Sequence, residues 1–290
     1  MQHLLLTRFQ GALIGANTIY LNPQQIAPNQ LLLDATPVLF RGISSLIEGG
    51  GFDDREWAQQ LVGDIASSEQ AILAMLPLML FFHDDRVKLR ETLINVSHSW
   101  QLDWETCSSA VSLGYIISRS LTESLRPLTL VAQLLDETIN LHPLVFQELG
   151  TIDRLLERSS SLHQVARRLA ANSHPIITPT ILAIYCFIST PEDFSLATRR
   201  AYQIGRSPFT CALTGILSGA HNSAIGIPLN GYMATQEREH WQAAAASLLG
   251  AWAGVYRDTT GAADLFALSS QPTSAHPLAI AAPQVIQKRS

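Results

Sequence analysis

Apolar residues recur at three- and four-residue intervals along most of the chain, the spacing that places them on one face of a helix. The pattern begins within residues 3–20 and returns in successive segments up to a long alanine-rich stretch at residues 235–256. No segment alternates apolar and polar residues for long enough to predict a strand. We therefore expect an all-α protein.

Capping side chains and prolines mark where several of these helices begin. Asp34 stands before an apolar segment with Pro37 in its first turn, and Asp53 precedes another. Pro191 predicts a further helix that opens with proline. Residues 21–33 hold two prolines and no charged residue, which predicts a loop.

Glycines occur four residues apart at three places in the helical segments. The three pairs are Gly11 with Gly15, Gly215 with Gly219, and Gly250 with Gly254. A glycine inside a helix costs about 1 kcal/mol relative to alanine, and close approach of another backbone is the usual compensation. The pairs therefore predict tight helix crossings rather than ligand contacts.

The charge pattern argues against nucleic-acid binding. The chain has 290 residues, of which 15% are charged, and its formal net charge is −5. Nucleic-acid binding calls for a clustered basic face. Two adjacent arginine pairs, Arg167-Arg168 and Arg199-Arg200, are more typical of solvated helix faces than of anion sites.

The same composition favours association with other proteins. Hydrophobic residues make up 47% of the chain, and its mean hydropathy is above zero. So few charges leave little polar surface, and large exposed apolar patches mark interfaces. We expect another protein as partner, or self-association.

Residues 1–265 contain no linker-like segment and predict a single helical domain, whereas residues 266–290 are rich in Pro, Ser, Ala and Gln and predict a flexible tail. The longest apolar run, from Ala71 to Phe82, is too short to span a bilayer. It also contains Pro77, and the first residues lack a signal-peptide pattern. These features predict a cytoplasmic protein without membrane insertion.

Neither the cysteines nor the histidines form a recognisable reactive motif. The chain has three cysteines, an odd number, and all lie in apolar helical segments: Cys107, Cys186 and Cys211. This predicts buried, reduced thiols. The best alternative metal-ligand cluster is His83-Asp84-Asp85. Because the cluster directly precedes a helical segment, an aspartate there is more typical of an N-cap.

One segment resembles the metal-binding motif of a known family. In ADP-ribosylglycohydrolases of the dinitrogenase reductase-activating type, Gly-Gly-Asp-Thr-Asp-Thr precedes a helix of small residues with two glycines four apart. Residues 204–220 are similar, with both helix glycines in register. Arg206 stands where the first carboxylate is usual, Ser207 follows it, and Pro208 stands where the second carboxylate is usual.

The resemblance extends over nearly the whole chain, mostly at framework positions. Residues 8–17 are similar to the family's Arg-Phe-x-Gly-x-x-x-Gly-Asp-Ala, with alanine at position 16 in place of the aspartate and Asn17 next to it. Residues 33–36 resemble Thr-Asp-Asp-Thr, of which Asp34 and Thr36 match. Glu69 stands where a later motif has asparagine.

This resemblance implies the family's compact orthogonal multi-helix bundle with a degenerate site. Metal-assisted hydrolysis needs hard oxygen ligands, which a guanidinium and a proline ring do not supply. We therefore expect no catalytic residue, no metal and no cofactor. The vestigial site is expected at six residues: Asn17, Asp34, Thr36, Glu69, Arg206 and Ser207. In that site Arg206 is expected to replace the metal and pair with Asp34.

Three functions remain open at this stage. The first is an inactive relative that acts through protein–protein interaction as a scaffold or regulator. The second is a metal-independent sensor of a nucleotide or other small phosphate-bearing ligand, with Arg206 neutralising the phosphate. The third is an active ADP-ribosyl hydrolase with an altered metal site.

Overall fold

Every regular element of the described chain is helical, and the all-α expectation is confirmed. The computed structural model describes residues 2–17, 36–48, 52–137, 141–171, 173–205, 207–228, 233 and 235–254. The α-helices in these ranges are α1 (Gln2–Ala16), α2 (Thr36–Glu48), α3 (Asp54–Leu61), α4 (Ser68–Ala74), α5 (Leu76–Phe81), α6 (Arg86–Ser99), α7 (Trp104–Leu121), α8 (Leu130–Glu137), α9 (Pro143–Glu157), α10 (Leu162–Ala170), α11 (Ile177–Ile188), α12 (Phe194–Gly205), α13 (Pro208–Asn222) and α14 (Thr235–Trp252).

The two helices at the centre of the fold are α1 and α13. Every residue of α13 from Phe209 to Ala220 is buried, and Phe9 and Leu13 of α1 are completely buried. Helices α7, α11 and α12 pack around α13, and α14 packs against α1. A helix that is apolar all round requires such cover on every side.

Glycines allow α1 and α13 to touch along their backbones. A Cβ atom on Gly15 would lie 2.1 Å from the carbonyl oxygen of Gly215, and one on Gly11 would lie 2.2 Å from that of Gly219. Since the later glycine of α1 meets the earlier glycine of α13, the helices are antiparallel. The prediction of a tight crossing is confirmed for these two pairs.

The prediction for the third glycine pair is wrong. Helix α14 ends at Trp252, so Gly254 lies beyond the helix. Its φ is +69°, and a Cβ atom there would meet nothing within 4 Å. Gly254 therefore permits a left-handed turn after the helix, the other common use of glycine.

Tryptophans join the outer helices to one another. The Trp57 indole of α3 donates to the Gly42 carbonyl of α2 at 3.2 Å, and Trp100 donates to the Ala58 carbonyl at 2.8 Å. The Trp57 and Trp100 rings are stacked, with centroids 5.8 Å apart. Because each buried indole N–H has a partner, these large side chains are buried without an unsatisfied donor.

Local capping signals predict most helix starts, but one predicted start differs from the observed one. Asp53 accepts hydrogen bonds from the Arg55 and Glu56 amides and caps α3, as expected. Pro191 does not open a helix: α12 begins at Phe194, and Asp193 caps it by accepting from the Leu196 amide at 2.8 Å. The capping side chain thus decides this boundary rather than the proline. Asp34 and the predicted loop lie outside the described residues.

Within the described ranges, no helix is both long enough and apolar enough to cross a membrane. The tail expected at residues 266–290 lies outside those ranges.

Candidate functional site

The antiparallel crossing places the end of α1 beside the middle of α13, because Gly15 meets Gly215. Asn17 follows α1 and is 5% exposed. Its side-chain amide donates to the Leu13 carbonyl at 3.1 Å, and its Oδ1 accepts from the Thr36 hydroxyl at 3.5 Å. The structure thus brings together Asn17 and Thr36, two of the six expected site residues, at the point where α2 begins.

Ser207 forms the start of α13. Its Oγ accepts from the Thr210 amide at 3.4 Å, and Pro208 occupies the first helical position. A hydroxyl that caps a helix and a proline in its first turn form a common helix start. Ser207 therefore has a structural role that needs no ligand.

Thr210 is a polar residue of this region that the motif comparison did not single out. Its side chain is completely buried, and its Oγ1 has no hydrogen-bond partner among the described residues. Thr210 lies in the first turn of α13, where Pro208 has no N–H and Ser207 accepts hydrogen bonds from the Thr210 and Cys211 N–H groups. Burying a hydroxyl without a hydrogen-bond partner costs free energy. Thr210 is therefore an unsatisfied polar group in this region.

Glu69 lies in the first turn of α4. Burial raises the pKa of its carboxyl above the ordinary value. Helix α4 packs against α2, but the described contacts do not join Glu69 to Asn17, Thr36 or Ser207. Glu69 is therefore near this end of the fold without a shown role in the site.

Two expected site residues, Asp34 and Arg206, lie outside the described residues. Their pairing therefore stays a prediction, and so does the replacement of a metal by the guanidinium.

Two described positions at which the resemblance expects carboxylates supply no metal ligand. Ala16 is 7% exposed and ends in a methyl group, and Pro208 carries no side-chain oxygen. The Asn17 oxygen and the Ser207 hydroxyl already accept hydrogen bonds. Divalent cations such as Mg²⁺ need several oxygen ligands, at least one of them a carboxylate. Across the part of the chain that the structure describes, no group of three His, Cys, Asp or Glu side chains could hold a metal ion.

The cluster His83-Asp84-Asp85 has a structural role, as its N-cap interpretation predicts. Asp85 accepts from the Lys88 amide at 2.9 Å and caps α6. Asp84 accepts from the Trp252 indole at 3.1 Å. His83 is buried between the rings of Phe9 and Trp252, at centroid distances of 5.3 and 4.9 Å. The cluster therefore fixes the end of α14.

The cysteines are buried or half-buried free thiols. Burial raises the pKa of Cys186 and that of Cys211 to about 12. A thiol with such a pKa is almost entirely protonated near neutral pH and is a poor nucleophile. The expectation of buried, reduced thiols is confirmed for this pair.

The comparisons with known proteins agree with this fold. A family model described as ADP-ribosylglycohydrolase matches residues 39–258. A solved structure titled "ADP-ribosylglycohydrolase-related protein complex" superposes with a TM-score of 0.60 at 14% identity, over 88% of this chain and 100% of that one. At this identity the similarity supports the fold alone. The search of curated proteins gave no match. Since the family model covers most of the sequence, the chain belongs to the ADP-ribosylglycohydrolase family and has its all-α fold.

Proposed function

We propose that this chain is a catalytically inactive member of the ADP-ribosylglycohydrolase family that acts through protein–protein contact, as a scaffold or regulator. One observation carries the proposal. The glycine crossing of α1 and α13 is present, while Ala16 and Pro208 stand where the resemblance places carboxylates. A protein that keeps the helical framework of the fold but lacks metal-binding carboxylates is suited to binding rather than to metal-assisted hydrolysis.

The chemistry supports the same conclusion. Metal-assisted hydrolysis requires oxygen ligands that hold the ion and orient its water. The described groups at the site are the Asn17 amide and the hydroxyls of Thr36, Ser207 and Thr210. Hydroxyls and amides alone bind divalent cations weakly, so they cannot replace several carboxylates.

An exposed aromatic cluster supports a role in protein contact. Trp104, at the start of α7, is 52% exposed, and its ring packs edge-on against His142 at 5.0 Å. The His142 ring accepts from the Leu144 amide at 3.3 Å and lies 3.4 Å from the Glu105 carboxylate. Phe146, one turn further along α9, is also 52% exposed. Exposed aromatic groups held in place by neighbours are typical of interface hot spots.

This surface, formed by Trp104, His142, Leu144 and Phe146, gives a direct test of association. We expect light scattering of the purified chain, or co-purification from its source cells, to show a complex that Trp104→Ala weakens at least about tenfold. Val62→Ala is the matched control, because Val62 is 50% exposed on another part of the surface. A monomer at high concentration with no partner recovered from cells would contradict the proposal.

A second candidate is a metal-independent sensor of a phosphate-bearing ligand. The observation that favours it is the buried Thr210 hydroxyl in the first turn of α13. Helix N-termini bind phosphate through backbone N–H groups, and Arg206 directly precedes this one in sequence. Calorimetry with ADP-ribose, with and without Mg²⁺, separates the candidates. Binding without metal supports the sensor, binding only with metal supports an active hydrolase, and no binding supports the scaffold.

A further inference from the structure

A cleft of about 410 Å³ lies between α6 and α7, on helices that do not form the site described above. Arg86, Arg90, Glu91 and Tyr115 line part of it, and apolar side chains line the rest. Its volume falls within the range of small-molecule sites, about 300–1,000 Å³. The cleft is therefore large enough for a small organic ligand.

The apolar part of the cleft is built on two closely packed helices. A Cβ atom on Gly114 of α7 would lie 2.8 Å from Leu93 Cδ1 of α6, so the missing side chain lets these helices approach each other. Leu93 and Val111 are buried and form the base of the cleft, while Ile94 is partly exposed. These three side chains offer a rigid surface for an aliphatic or aromatic group.

The polar part of the cleft is mainly cationic. Arg86 and Arg90 are four residues apart on α6, which places them on the same side of the helix. Arg119, which is not among the lining residues, donates from Nε to the Tyr115 hydroxyl at 3.1 Å, and its guanidinium lies 5.4 Å from that ring centroid. Glu91 is the only carboxylate among the described lining residues. The described lining thus holds two guanidinium groups and one carboxylate.

We propose that this cleft binds a small amphipathic carboxylate, with its head at Arg86 and Arg90 and its apolar body on Leu93, Ile94 and Val111. A guanidinium has five N–H donors in a planar fork, so it can bind a carboxylate while also bonding other protein groups. A cationic head would be repelled by the two arginines. A neutral head would lose the charge-assisted hydrogen bonds.

Calorimetry on the full chain with three probes of equal chain length tests the charge requirement. Octanoate is expected to bind saturably, and octanol and octylammonium at least about tenfold more weakly. Equal binding of octanol, or no saturable binding of octanoate, would overturn the proposal.

Paired variants locate the binding. Arg90→Gln is expected to weaken octanoate binding about tenfold, and Arg55→Gln, on the exposed side of α3, to leave it unchanged. Ile94→Trp is expected to fill the cleft and abolish binding, whereas Val62→Trp, outside the cleft, should not. Thermal melts establish that each variant is folded. Unchanged octanoate binding in folded Ile94→Trp overturns the proposal, and a simultaneous change of mass in light scattering would show that the cleft is a protein interface instead.

Discussion

Gly11 and Gly219 touch through their backbones: a Cβ atom on either residue would lie within 2.2 Å of the other's carbonyl oxygen. This contact sets the separation of α1 and α13. It therefore also sets the positions of Asn17, which follows α1, and of Ser207, which precedes α13.

The first prediction concerns this contact. Gly219→Ala is expected to reduce the free energy of unfolding by about 3 kcal/mol, the upper end of the usual cost of overpacking, because its methyl group would meet backbone that cannot move aside. The measurement is urea denaturation followed by circular dichroism. Gly150→Ala in α9 is the matched control: a Cβ atom there meets nothing within 4 Å, so alanine should stabilise the helix by about 0.5–1 kcal/mol. Similar effects at both sites would contradict the crossing.

The same substitution at two tryptophans separates a core role from a surface role. Trp241 of α14 is completely buried and stacks on Phe40 at 4.3 Å. Trp241→Ala is expected to cost about 3–5 kcal/mol of stability in urea denaturation. Trp104→Ala should cost less than about 1 kcal/mol, because Trp104 is half exposed, while weakening association. A large loss of stability in Trp104→Ala would mean that the residue supports the fold instead.

The burial of His83 predicts that the free energy of unfolding falls towards acidic pH. Burial lowers the pKa of His83, although its hydrogen bond to the Leu80 carbonyl and the charge of Asp84 act in the opposite direction. A histidine whose pKa is lower when folded binds more protons when unfolded. Its contribution to stability is therefore present above its unfolded pKa of about 6.5 and is lost as the pH falls through the folded pKa.

Thermal melts at about pH 7.5 and about pH 5.5 measure this effect. We expect the melting temperature to be lower at the acidic pH, and His83→Gln to reduce the difference. Part of the difference should remain, because burial also lowers the pKa of His221. His163→Gln, on an exposed position of α10, is the control. An unchanged pH dependence in His83→Gln would show that this histidine does not couple folding to protons.

The expected pair of Asp34 and Arg206 can be tested by mutagenesis. A double-mutant cycle with Asp34→Asn and Arg206→Gln is expected to give a coupling energy of at least about 1 kcal/mol in urea denaturation. Asp136 and Arg126 provide a control cycle on the surface. A coupling energy near zero would show that the two side chains do not pair.

Features encoded locally could be predicted from the sequence, and long-range contacts could not. Asp53 and Asp85 cap helices that their neighbouring residues already indicate, because a cap needs only the next turn of chain. The partner of Asp84 is Trp252, 168 residues away, and no local pattern links them. The cleft between α6 and α7 likewise depends on packing.

The candidate site was predictable only in part. Motif resemblance identified Asn17 and Thr36, which the structure brings together, and Ser207, which caps α13. It missed Thr210, because a threonine within a helix of small residues carries no signal until its burial and lack of a partner are known. Gly254 was misassigned because glycine spacing alone does not show where a helix ends.

The central claim is the absence of catalysis, and release of ADP-ribose tests it most directly. Substrates carrying ADP-ribose on arginine or serine are incubated with the full chain in the presence of Mg²⁺ or Mn²⁺, and free ADP-ribose is quantified against a buffer control. The account predicts no release above that control. It also predicts none from Arg206→Asp, because one restored carboxylate cannot replace the others. Release above the control that Asp34→Asn abolishes would contradict the account.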